Sequence, residues 1–142
     1  MIVVGVDGSS SAAAALLWAA RQARVTAASL RVVTAWRFPP DYGDDVVLTD
    51  DWQPDQAARQ IQADALTAAA SQLDGIESEA LVVEGTAGSV LVAESRDADL
   101  LVVGSRGHRE LAGLLLGSVS EYCTAHAGCS VVVVRPHPAA GH

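Results

Sequence analysis

No lysine occurs anywhere in this sequence of 142 residues. That absence excludes a Walker A phosphate-binding lysine, a Schiff-base lysine and a lysine general base. Every basic side chain is arginine or histidine. Nor is there a basic run: 9 arginines stand against 17 Asp and Glu, a formal net charge of −8. Nucleic-acid phosphates demand a positive stripe, so a nucleic-acid partner is not expected. No apolar run approaches the ~18 residues of a membrane span, so no membrane partner is expected either. The opening MIVVGVDGSS lacks the positive start of a secretory signal and reads as a strand entering a turn. Internal repeats and a dividing linker are also missing. The expectation is one cytoplasmic domain over residues 1–142, with a core to about 136 and a tail over 137–142.

Cysteine is scarce. Cys123 and Cys129 lie in YCTAHAGCS, which is not the C-x-x-C of redox motifs. A disulfide does not suit a reducing cytosol. His126 falls between them, but three ligands in one short stretch, without a second cluster, make a poor zinc framework. Two small buried apolar side chains are the expected reading, and no metal ligand is assigned.

Half of the chain is hydrophobic, enough for a proper core. Five short apolar runs stand out: IVVGVD (2–7), LRVVTAW (30–36), SEALVVEG (78–85), ADLLVVGS (98–105) and SVVVVRP (130–136). Most are nearly continuous and not alternating, the pattern of strands buried on both faces. Helical patterns lie between them. Ser9, Ser10 and Ser11 offer N-caps for an Ala-rich helix to about Arg24. Over 55–74, Ala58, Ile61, Ala65, Ala69 and Leu73 fall on one helical face. Gly88-Ser89 precedes a short helix, VLVAES, and a last helix runs from Ser118 to Ala127 with Gly128 as its C-cap. The order βαβαβαβαβ predicts an α/β fold, an open five-stranded parallel sheet with helices on both faces. Residues 37–54 have no regular period and carry five aspartates; they read as a solvated acidic loop, the alternative being a lid or a metal-attracting rim over a site.

The chemistry concentrates in GSRGHRELAGLLLGSVS (104–120). Gly104 sits where the fourth strand ends, and open α/β sheets bind ligands just beyond strand C-termini, where the strand order reverses. Without a Cβ, Gly104 would let a ligand approach its backbone, and Gly107 would turn the chain through positive φ. Gly117 opens the last helix, whose first N–H groups lack partners and whose dipole adds positive charge. Ser118 and Ser120 add hydroxyls, and Arg106 a full charge. Together these describe an anion site suited to phosphate. The alternative is that Gly107 and Gly117 are ordinary turn and boundary residues. Asp7 closes the first strand, placed to accept from ribose hydroxyls or to cap the following helix through the Ser9 or Ser10 amides. Strand order 3-2-1-4-5 puts Asp7 and Gly104 on one crevice; order 2-1-3-4-5 would not, so the glycines favour the first.

The string G-x-x-G, nine residues, then G-S, filled by Gly104, Gly107, Gly117 and Ser118, resembles the ATP-binding signature of universal stress proteins. The resemblance covers nearly the whole chain, with Ser130 standing where members often carry proline. It implies the 3-2-1-4-5 sheet with ATP in the crevice, a divalent ion (Mg2+ or Mn2+) riding on the phosphates. Asp7 would meet the adenosine, Val6 would line its pocket, the backbone near Ala35 would meet the adenine edge, and Val103 would pack beside the base. Gly104, Arg106, Gly107, Gly117, Ser118, Val119 and Ser120 would surround the phosphates. The resemblance also implies a homodimer through the last strand, and Val131, Val132, Val133 and Val134 make an apolar edge that invites such pairing. Hydrolysis needs a positioned water and a base. His108 and Glu110 lie in the glycine loop with no visible orienting partner. The expectation is a nucleotide-binding stress-response regulator whose occupancy a protein partner reads, with at most slow ATP hydrolysis. The alternative is a dimeric interaction module of the same fold that does not depend on nucleotide. Two related classes fit less well. An ATP-splitting ligase would want S-G-G-x-D-S where DGSSS stands, and a phosphoacceptor receiver would want an aspartate and a lysine near Glu84 and Arg135.

Overall fold

The computed structural model describes residues 1–38, 53–107 and 116–136. The elements run β1 (Ile2–Gly5), α1 (Ser10–Thr26), β2 (Leu30–Trp36), α2 (Pro54–Ala68), α3 (Ala70–Leu73), β3 (Ser78–Glu84), α4 (Ala87–Glu94), β4 (Leu100–Gly104), α5 (Ser118–His126) and β5 (Ser130–Val134). All five strands are parallel, in the order β3-β2-β1-β4-β5. β1 is central, with Ile2 in register with both Leu30 and Leu100.

Successive side chains of a strand point to opposite faces, and the two faces carry separate cores. Ile2, Val4, Val32 and Val102 face α1, where Ala15, Leu16, Ala19 and Ala23 are buried. Val3, Val33, Leu101 and Val103 face the other layer, with Val90 and Leu91 of α4 and Cys123 of α5. This double burial is why the central runs read as continuous. Each fully buried aliphatic chain, such as Leu16 or Leu101, contributes about 1.5–3 kcal/mol. The alanines of α1 let the helix lie close to the sheet. The edge strands differ from the expectation: most of β3 is exposed at its start, and β5 is only half-buried. With one neighbour each, they cannot be covered as the centre is.

Ser9 caps α1, its Oγ accepting from the Ala12 N–H at 3.1 Å. Over 55–74 the structure has two helices with a break at Ala69. The buried face there follows Ala58, Gln62, Ala65 and Ala69, not Ile61, which is 37% exposed. Gln62 is buried because its Nε2 finds acceptors: the Leu81 carbonyl at 2.8 Å and Thr34 Oγ1 at 3.2 Å. α4 begins earlier than expected and takes in Gly88 and Ser89. A Cβ on Gly88 would lie 2.7 Å from the Tyr122 ring of α5, so this glycine serves close helix packing. α5 ends at His126 and Ala127 is extended (φ −65°, ψ 145°), so Gly128 is not a left-handed cap. Among the described residues no helix is long and apolar enough to cross a membrane. Most of the acidic loop, His108, Glu110 and the tail lie outside the described residues.

Candidate functional site

Since β1 is flanked by β2 and β4, and the connections from β1 and β4 leave to different sides, a crevice opens at their C-terminal ends. Its lining includes Val6, Asp7, Ala35, Val103, Gly104, Arg106, Gly107, Val119 and Ser120, all singled out in the sequence. It encloses about 510 Å³ of atom-free space open to solvent, but the centre of a water molecule can move through only about 60 Å³. The crevice is therefore a narrow slot. Part of its wall is apolar, with Val33, Ala35, Leu91 and Val103 in one cluster; another part carries Asp7, Ser9 and Arg106, linked through Ser9.

Asp7 supports the cap: its Oδ1 accepts at 2.9 Å from the N–H of Ser9, the residue that caps α1. A carboxylate has about four acceptor sites, so capping and ligand contact are compatible. Gly8 makes the turn between them, at φ 87°. Ser9 Oγ also lies 3.5 Å from the Arg106 carbonyl, where it is placed to donate, linking the loop after β1 to the loop after β4.

Three readings of the glycine string change. A Cβ on Gly104 would lie 2.7 Å from the Ser11 carbonyl carbon and 2.8 Å from Ala12 N. Its bare face is thus filled by the α1 backbone and is not kept open for a ligand. Among the described residues, Gly8, Gly75 and Gly85 carry positive φ, at 87°, 80° and 145°. Gly117 is buried and extended (φ −82°, ψ 171°), and its N–H donates to the Ser105 carbonyl at 2.7 Å. That amide is therefore engaged within the protein. Ser120 is also turned inward, its Oγ donating to the Gly117 carbonyl at 3.0 Å or the Ser105 carbonyl at 3.2 Å. Neither Gly117 nor Ser118 lines the crevice; Ser118 is exposed at the first position of α5. Val119 and Ser120 line the crevice beside Arg106, and their amides lie in a first helical turn that offers no intrahelical partner.

The universal stress protein family profile matches residues 1–135. The chain belongs to the universal stress protein family. Among solved structures, it is similar to a universal stress protein in complex with cAMP, at 30% identity over 96% of each chain and a TM-score of 0.70. It is also similar to a universal stress protein from Archaeoglobus fulgidus, at 25% identity over 94% of this chain and 96% of that one, TM-score 0.71. A third, from Lactobacillus plantarum, is 23% identical over 94% and 96%, with a TM-score of 0.71, and shares the fold.

In this family member one residue that sequence reasoning missed is Ser105. It is 1% exposed. Its N–H donates to the Val134 carbonyl at 2.8 Å, its carbonyl accepts from Gly117, and its Oγ lies 3.4 Å from Ser11 Oγ. One residue thus pins β4 to β5, α5 and α1. Most of this is backbone bonding, which leaves no trace in residue type. Gly5, Ser9, Ala12, Val33, Ala87 and Leu91 also line the crevice without having been predicted. Behind α5, burial pushes the Cys123 thiol up to about 11, with the neighbouring Cys129 thiol adding to the shift. It is a core group, as expected. Among the described residues no cluster of three His, Cys, Asp or Glu could hold a metal ion.

Proposed function

We propose that this universal stress protein binds an adenine nucleotide in the β1/β4 crevice, ATP being the expected one, and that a protein partner reads its occupancy. The observation that carries the reading is the mixed lining: apolar side chains suited to a flat base, with Asp7, Arg106 and the start of α5 beside them for ribose and phosphate. The relative in complex with cAMP, 30% identical over nearly its whole length, supports the same ligand class. A divalent ion would ride on the phosphates. Dedicated catalysis is not part of the proposal. Hydrolysis would be slow at most, because Asp7, the carboxylate in the described lining, is already engaged by the Ser9 N–H at 2.9 Å. The protein would work in the cytoplasm as a homodimer paired through β5. Of the two sheet edges, β3 carries Glu79 and Glu84, whereas β5 carries no charge.

One observation favours the second reading, a nucleotide-independent interaction module: the Gly117 amide and Ser120 hydroxyl already have partners inside the protein. Releasing and identifying the small molecule that co-purifies separates the two. An adenine nucleotide near one per chain supports the first; none, even after purification from energy-replete cells, supports the second.

A further inference from the structure

Resting on the nucleotide reading above, we infer that Leu91 sets the size of base the crevice accepts, limiting it to a planar purine without bulky substituents. Leu91 comes from α4 and is 4% exposed, yet it belongs to the apolar part of the slot's wall. It is held there from two sides. A Cβ on Gly5 would lie 2.7 Å from Leu91 Cδ1 and 3.2 Å from Cδ2. The isobutyl group therefore sits directly on the β1 backbone and cannot retreat into the sheet. Beside it, the close contact of Gly88 with the Tyr122 ring sets α4 hard against α5, so the helix cannot shift toward α5 either. Close-packed surroundings of this kind do not yield without cost. The flat, least polar part of a nucleotide is its base, and the apolar part of the wall is where Leu91 stands. A substituent projecting from the ring would have to displace it, and the slot has little slack.

The test compares ATP with two analogues enlarged on different ring edges, N6-benzyl-ATP and 8-bromo-ATP, by calorimetric titration of the full chain. Wild-type protein is expected to bind ATP at least 50-fold more tightly than either analogue. In Leu91→Ala the ratio should fall at least tenfold for one of them. A ratio measured within one protein does not depend on how much stability the variant has lost. Leu91→Val, which removes less volume, gives the same readout where the alanine variant fails to fold. A second arm uses Gly5→Ala. The added methyl must push Leu91 aside, so ATP binding should weaken at least tenfold in wild type but less than threefold with Leu91→Ala, where the space is vacated. Wild type that binds ATP yet keeps an unchanged ratio in both Leu91 variants overturns the role of Leu91 alone. Wild type that accepts the analogues as readily as ATP overturns it too. Wild type that binds no adenine nucleotide overturns the nucleotide reading with it.

Discussion

Gly104 shows how one residue can be picked out correctly for a reason the structure replaces. It lines the crevice, but its missing Cβ makes room for the α1 backbone at Ser11 and Ala12. Backbone atoms do not move aside as a flexible side chain does. Gly104→Ala should therefore lower unfolding free energy by about 1–3 kcal/mol, the range for overpacking, measured by urea denaturation without nucleotide. An unchanged midpoint would mean that the helix shifts freely. Cys123 gives a second residue-scale expectation, with a definite sign. Its thiol holds its proton more tightly folded, near 11, than unfolded, near 9. The stability this represents is full below about pH 9 and is lost as pH rises toward 11, at most about 2–3 kcal/mol at 1.36 kcal/mol per pH unit. Denaturation midpoints of wild type should fall over that window, and those of Cys123→Ala should fall less. Equal losses in both would assign the alkaline drop to other groups. Asp7 was legible because an acid ending a strand before a glycine has few uses. Ser105 was not, because its main bonds run through its carbonyl and amide.

Among the elements, the strands were the most legible. Continuous valine and leucine runs such as IVVGV have no other stable home than a sheet centre. Helix limits were less legible where packing overrides pattern. The α2 face turns onto Gln62 because three acceptors on β2 and β3 await its amide, and pattern alone favours Ile61. Gly88 marks no helix boundary because the Tyr122 ring needs the room, a long-range fact. The β5 edge carries this scale's prediction. A lysine on an edge strand disfavours pairing, so Val133→Lys, with its helical far-UV spectrum retained, should sediment as a monomer, and wild type is expected to sediment as a dimer. Monomeric wild type at high micromolar concentration would remove the β5 pairing.

For the whole molecule, the strand order β3-β2-β1-β4-β5 turns local features into a site. It places the acid that ends β1 opposite the loop that ends β4, and aims the start of α5 into the gap between them. In a chain with a net charge of −8 and no lysine, the proposed polyanion would be held where charge is focused locally. Here that means Arg106 and first-turn helix amides, not a positive surface. The slot's existence was legible from glycine spacing and topology. Its Leu91 wall was not, since it depends on how α4 meets Gly5 on one face of the sheet. The central claim is that this slot binds an adenine nucleotide, and calorimetric titration of nucleotide-free protein with ATP tests it most directly. The account predicts saturable binding at one site per chain, weakened at least tenfold by Asp7→Ala or Arg106→Ala. Absence of saturable binding by ATP, ADP, AMP and cAMP alike would contradict it.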